Sequence, residues 1–267
     1  MGTDPLLVID GLRVRVTSDG RPRGVVKDVS LSVAAGEVLC LIGESGCGKS
    51  MTCLAVMGLL PATAGIIGGS IRYGERTDIR RGRDVAMIMQ NPSSCFDPVF
   101  TIKSHFRETL SAQGLSFHAN YAKVLQTIAE AGFDDPEAVL PLYPFQMSGG
   151  MLQRVMIALA MVAAPGVILA DEPTTDLDMP AQAMVLDLID RLRRSHDLGM
   201  LLVTHDLSVV ARMADTVAVM RDGAILETGP ARRVFDSPEH PYTRTLLEAH
   251  FALHDAFVDP GKDGVAA

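Results

Sequence analysis

The sequence predicts an α/β fold: a mostly parallel sheet at the core, an antiparallel β part at the N-terminal end, and a helical insert in the middle. Three observations predict it. Short apolar runs alternate with segments of helical period, as in strands that lie parallel and are covered by helices on both faces. The glycine-rich run GESGCGKS, residues 43–50, sits between an apolar run and a helical one, which is the strand–loop–helix setting of a phosphate-binding loop. Residues 101–164 show helical period with no apolar strand beside it, so they form an insert of helices.

Residues 6–16 and 24–33 read as two strands joined by a polar turn at 17–23, an antiparallel pair. Residues 37–42 (EVLCLI) form the buried strand that feeds the phosphate loop, and 50–60 the helix after it. Residues 65–74 are glycine-rich and hold one short strand at 70–73. Residues 76–83 carry several arginines and read as a solvated basic loop. Residues 84–89 (DVAMIM) are a buried strand ending at Gln90.

Within the insert, Ile102, Phe106 and Leu110 share one helical face, as do Val124, Ile128 and Ala131, which marks both stripes as core-facing. Strand and helix alternation resumes with a strand at 167–170, a helix at 180–196, a strand at 200–204 and a helix at 207–214. A strand pair at 216–228 turns at Asp222-Gly223, and short helices follow at 231–235 and 242–254. One domain over residues 1–250 is expected, with the insert at 101–164 and a short, frayed tail at 251–267.

Composition narrows the function. The net charge of −8 argues against a general nucleic-acid binder, which presents a basic face. The N-terminal end has no basic-then-apolar run, so no signal peptide is expected. The longest apolar stretch, 155–170, is interrupted by Pro165-Gly166 and falls short of the ~20 residues of a membrane-spanning helix. It reads as the end of one buried helix followed by a buried strand. Cys40, Cys47, Cys53 and Cys95 form no C-x-x-C pair and read as reduced cytosolic thiols.

Chemistry-bearing residues recur at strand ends. In the phosphate loop, Gly43, Glu44, Ser45, Gly46, Cys47 and Gly48 turn successive N–H groups towards a nucleotide phosphate, and the following helix adds its positive end. Lys49 is placed to reach the β- and γ-phosphates and Ser50 to give a hydroxyl to Mg²⁺. VILADEP ends in two carboxylates, Asp171 for the Mg²⁺ shell and Glu172 to polarise an attacking water. Gln90 is a candidate ligand of Mg²⁺ or of that water, and His205 a candidate neighbour of the γ-phosphate. In MSGGMLQR, Ser148 suits an N-cap, and Gly149 and Gly150 allow close approach of an anion. TTDLD brings in Asp178. Cys47, beside Lys49 at a helix start, is expected to have a lowered thiol pKa. His250 and His254, four apart on a predicted helix, read as part of a solvated face rather than a metal site.

The ordered set GESGCGKS, Gln90, MSGGM, ADEP, TTDLD and His205 resembles the ATP-binding-cassette ATPases over nearly the whole chain. MIMQNPSSCFDP, MLLVTHDLSVVARMAD and SPEHPYTRTLLEAH are similar to the peptide and nickel importer branch, and LYPFQMSGGMLQR with the TTDLD spelling leans to nickel. The resemblance implies ATP and Mg²⁺ as cofactors. It also implies a head-to-tail pair with a second, related ATPase subunit, so that each nucleotide lies between one chain's phosphate loop and the other's Ser-Gly-Gly. Two membrane permeases and, indirectly, an extracytoplasmic binding protein complete the implied assembly, at the cytoplasmic face of the bacterial inner membrane, with no nucleic acid. It assigns Glu172 as base, His205 as its partner and holder of the γ-phosphate, and Gln90 as the link to the insert.

Three departures from the family stand out. Met151 replaces the usual glutamine after Ser-Gly-Gly, and Met51 stands where many cassettes carry threonine among the nucleotide-binding residues. The adenine-stacking aromatic is missing, its place falling near Val16, with Arg13 or Arg15 offering a guanidinium plane instead. Cassettes of DNA repair and chromosome structure carry long heptad coiled coils, and this chain has none.

Overall fold

The computed structural model describes residues 4–18, 20–175 and 177–258, without the side chains of 18 and 251–258. Two sheets organise it. In the first, β1 (Pro5–Ser18) pairs antiparallel with β2 (Arg21–Ala34) on one side and β4 (Ala64–Tyr73) on the other. Alternation explains the hairpin: Leu7, Ile9, Leu12 and Val14 are buried while Arg13 and Arg15 face out. β4 is longer than the strand expected at 70–73, because its glycines take part in the ladder. A Cβ at Gly69 would stand 2.3 Å from the Gly11 carbonyl oxygen. The two strands therefore touch backbone to backbone beside a register shift between Asp10 and Arg13, a bulge that glycine permits.

The second sheet has six strands: β3 (Val38–Ile42), β5 (Val85–Ile88), β6 (Val167–Asp171), β7 (Gly199–Val203), β8 (Thr216–Arg221) and β9 (Ala224–Pro230). Their order is β5-β6-β7-β3-β8-β9, with β9 antiparallel and all other pairings parallel. β3, β6 and β7 are buried at every residue, as their unbroken apolar runs require.

The helical insert holds α2 (Ile102–Ala112), α3 (Tyr121–Glu130), α4 (Pro136–Val139) and α5 (Gly149–Met161). Ile102, Phe106, Leu110, Val124 and Ile128 are wholly buried and Ala131 nearly so, so both predicted stripes face the core. Side chains of this size each gain about 1.5–3 kcal/mol on burial. The remaining helices are α1 (Lys49–Val56), α6 (Met179–His196), α7 (Leu207–Met213), α8 (Ala231–Asp236) and α9 (Pro241–Val258). α9 runs past residue 254, its expected end, and the tail expected to fray lies, beyond residue 258, outside the described residues.

The basic loop is exposed at Arg80, Arg81 and Arg83, as its reading as a solvated face expects, but two of its arginines also clamp a buried carboxylate. Arg80 holds both oxygens of Asp84, Nη2 to Oδ1 at 2.8 Å and Nε to Oδ2 at 3.1 Å, and Arg76 Nη2 adds a bond to Oδ2 at 2.7 Å. Burial alone pushes the Asp84 carboxyl up. Hydrogen bonds from the Arg80 side chain and backbone and from Arg76 together outweigh it and hold the pKa at about 2. A depressed carboxyl contributes stability above its unfolded pKa and loses it as pH falls through the folded value. Asp84→Asn is therefore expected to cost about 2 kcal/mol at pH 7. Urea unfolding of both proteins should show this gap constant down to about pH 4 and narrowing as pH falls further towards 2. A pH-independent gap contradicts the ion-pair account.

Candidate active site

The strand order places the chemistry. β5, β6, β7 and β3 are neighbours, and their carboxyl ends carry in turn Gln90, Asp171-Glu172, His205 and the phosphate loop. Ligands of open α/β sheets bind at such ends. A cavity of about 540 Å³ opens there, lined by Ser45, Gly46, Gly48, Lys49, Ser50 and Met51 from the loop and helix, Gln90, Glu172 and His205 from the strand ends, and Val25 from β2.

The loop is shaped by close backbone approaches. A Cβ on Gly43 would lie 2.1 Å from the Met220 carbonyl oxygen, and one on Gly48 2.5 Å from that of Val25. Gly43, Glu44 and Cys47 form the back of the loop and do not line the cavity. Lys49 is 6% exposed, and its Nζ donates to the carbonyls of Gly43 at 2.8 Å and Glu44 at 3.0 Å. The lysine thus bridges the loop it serves and presents its charge at a fixed point.

Ser50 Oγ donates to Asp171 Oδ1 at 3.0 Å, joining α1, which follows β3, to the end of β6 across the intervening β7. A hydroxyl beside a carboxylate is the hard oxygen donor set that suits Mg²⁺. Burial pushes the Asp171 carboxyl up, against the Ser50 hydrogen bond, and Glu172 adds to the rise while Lys49 opposes it. A cation placed here relieves that penalty.

Glu172 takes φ +51°, a left-handed conformation that costs energy for a non-glycine residue. Its N–H donates to the Val203 carbonyl at 2.9 Å, so the chain turns off β6 as it leaves the strand. His205 Nδ1 lies 2.8 Å from Glu172 Oε1 and 2.7 Å from Oε2, and Thr175 Oγ1 donates to Oε2 at 2.8 Å. The carboxylate is oriented from two sides. Thr175 was not picked out from the sequence, although it lies in the TTDLD run. Gln153 was also missed: it is 1% exposed and donates from Nε2 to the Pro173 carbonyl at 2.7 Å. A polar residue on the buried face of a helix was its only signal.

The remaining expected residues stand elsewhere. Ser148 is the N-cap of α5, accepting from Met151 N–H at 3.3 Å, and neither it nor Gly149 and Gly150 lines the cavity. Asp178 caps α6, accepting from Ala181 N–H at 2.8 Å, and also lies outside the cavity. Gly150 and α6 are neighbours, a Cβ on Gly150 falling 3.9 Å from that of Ala181. Asp176 of TTDLD and the His254 side chain lie outside the described residues.

Two expectations need correction. Cys47 does not have a lowered pKa: burial raises it and outweighs Lys49, whose ammonium is 3.9 Å from Sγ and bonded to two carbonyls. Maleimide should accordingly modify exposed Cys95 well before Cys47 in the folded chain; peptide mapping showing Cys47 labelled first contradicts this. Nor do Arg13 and Arg15, offered as guanidinium planes for the base, line the cavity. Val25 lines the cavity, and Arg13 and Arg15 line a different hollow with Lys27 and Asp28. Arg13 is paired there with Asp28 at 3.2 Å.

Comparison with known proteins agrees with this geometry. A family profile described as "ABC transporter" matches residues 26–175. The nickel import ATP-binding protein NikD of Rhodospirillum rubrum is 45% identical over 264 residues, covering 96% of this chain and 99% of the relative. NikD of Brucella abortus biovar 1 is 44% identical over 255 residues, covering 94% and 97%. CbiO1 of Clostridium perfringens, part of the ABC transporter complex CbiONQ, shares the fold with a TM-score of 0.73 at 20% identity, covering 96% of each chain. With a phosphate loop, paired carboxylates and a histidine on adjacent strand ends, and with these overlaps, the chain belongs to the ABC transporter family of ATP-binding proteins.

Proposed function

We propose that this chain is the ATP-hydrolysing subunit of an importer for nickel or a nickel chelate. The observation that carries the ATPase part is the convergence of the phosphate loop, Ser50–Asp171 and His205–Glu172 on adjacent strand ends. The relatives named for nickel import supply the cargo. ATP fits the glycine-shaped loop, and Mg²⁺ fits Ser50 and Asp171 with Gln90 as a further ligand. When bound, Mg²⁺ neutralises charge developing on the phosphoryl group. Lys49 holds phosphate charge at a fixed position. Glu172 takes the proton from the attacking water, and His205 holds the carboxylate in line and meets the γ-phosphate.

Partners follow from surfaces outside the cavity. Ser148, Gly149, Gly150 and Asp178 gather where α5 and α6 start, beside the exposed Met179 and Met184. This face suits a second, related cassette docked head to tail, whose nucleotide the Ser-Gly-Gly completes. Just before the insert Val99 and Phe100 are exposed, and on it Phe145 is. Main-chain bonds from Ile102 to Leu142 and from Lys103 to Leu140 bring the two segments together. That apolar surface, whose first residues follow Gln90 along the chain, suits the two membrane permeases and couples them to the site; an extracytoplasmic binding protein delivers the cargo to them. Among the described residues no helix is long and apolar enough to cross a membrane. In this reading the permeases hold the chain at the cytoplasmic face of the bacterial inner membrane. One ATPase domain spans residues 1–250, with the insert at 101–164 and a tail at 251–267.

The test is accumulation of radioactive nickel and of a labelled dipeptide in cells with and without this chain. Loss of nickel uptake alone is expected. Loss of dipeptide uptake with nickel uptake intact replaces the nickel reading with the peptide one.

A further inference from the structure

The run SPEHPYTRTLLEAH has no part in the site above, yet the fold brings it to the back of the phosphate loop. The wall behind that loop is the tip of the β8–β9 hairpin. Gly223 N–H donates to the Cys47 carbonyl at 2.9 Å, and Lys27 N–H to the Gly223 carbonyl at 2.6 Å. Gly43 and Gly48 rest against Met220. The loop's shape therefore depends on where residues 220–223 stand.

The segment leading into α9 is fastened to the same hairpin. Glu227 of β9, 7% exposed, accepts the N–H groups of Glu239 at 2.9 Å and His240 at 3.0 Å. Arg233 reaches from α8 to Glu239 at 2.5 Å and to the Thr228 carbonyl at 2.7 Å. Tyr242, 7% exposed, meets Arg221 of the hairpin and comes near Glu44 of the loop. The Arg221 guanidinium sits over its ring, 4.6 Å from the centroid, a cation–π contact. Its N–H donates to His240 Nδ1 at 3.1 Å. The buried hydroxyl makes no well-formed hydrogen bond. It lies near Glu44: burial pushes its pKa up first, and the Glu44 carboxylate adds to the rise.

The geometry points to Tyr242 as a positioning residue for the phosphate loop, its ring holding Arg221 and the hairpin tip against the loop's back from the start of α9. The ring fills the space and carries the Arg221 contact, whereas the hydroxyl only approaches Glu44 without a well-formed bond. The loop's readiness for phosphate therefore depends on the ring. If removing it leaves about a tenth of the loop population competent, the apparent Kd for nucleotide rises about tenfold.

The experiment measures equilibrium binding of a fluorescent ATP analogue with Mg²⁺ to the full chain, beside its thermal unfolding midpoint. Tyr242→Ala should raise Kd about tenfold, Arg221→Ala about threefold, and Tyr242→Phe should stay within about twofold of wild type. Leu247→Ala serves as the control, since Leu247 is a buried residue of the same helix packed in the core. It should lower the midpoint and leave Kd unchanged. An unchanged Kd in Tyr242→Ala, or an equal rise in Leu247→Ala, overturns the proposal. If Tyr242→Ala does not fold, Arg221→Ala decides, and an unchanged Kd there overturns it equally.

Discussion

Replacing Glu172 by glutamine is expected to lower ATP turnover by about 10²–10⁴-fold, the usual loss on removing a general base, while ATP stays bound. The amide is nearly isosteric and still accepts from His205 Nδ1, which lies within 2.8 Å of the carboxylate, and from Thr175 Oγ1. Neither bond touches the phosphate loop, so binding survives. In the proposed head-to-tail pair, ATP that is not hydrolysed would go on bridging Lys49 of this chain and the Ser-Gly-Gly of the partner. The closed pair should accumulate, because a ligand that binds one state better shifts the population towards it. Size-exclusion chromatography with analysis of the retained nucleotide checks this on the co-expressed complex. ADP in place of ATP, or turnover near that of wild type, means another group is the base.

Lys49→Ala is expected to fail one step earlier. In the proposed role the ammonium neutralises phosphate charge, and it ties the loop together through the Gly43 and Glu44 carbonyls at 2.8 and 3.0 Å. A hydrogen bond to a charged group contributes about 1.5–3 kcal/mol. ATP affinity should therefore fall by about a hundredfold, which corresponds to ~3 kcal/mol. The closed pair should not accumulate. The contrast is diagnostic: one variant holds ATP without turning it over, and the other does not hold it. Equilibrium titration with MgATP measures the difference, and affinity within twofold of wild type contradicts the role given to Lys49.

The parts legible in the sequence were those set by short-range pattern. The apolar runs before the phosphate loop, before Asp171-Glu172 and before His205 are strands, each within a residue or two of its expected bounds. The stripes at Ile102 and Val124 face the core as their spacing required. Contacts distant in sequence were not legible. β4 read mostly as loop because glycine is a poor strand former, and only its backbone approach to Gly11 explains why glycine belongs there. The pairing of Arg76 and Arg80 with Asp84 was not legible, because the loop's composition does not show that these two arginines fold back onto the carboxylate that opens the buried strand. Cys47 looked activated by Lys49 because the sequence does not reveal that carbonyls already occupy the ammonium. The strained φ of Glu172 and the packing of Tyr242 behind the loop likewise belong to the folded state alone.

The most direct test of the account is ATP-driven uptake of radioactive nickel into vesicles holding the complete complex, this chain with its partner cassette, permeases and binding protein. With wild-type chain and internal MgATP, nickel should accumulate. With Glu172→Gln it should not, although the complex retains ATP. Nickel uptake unaffected by Glu172→Gln, or uptake without ATP, contradicts the claim that hydrolysis at this site drives import.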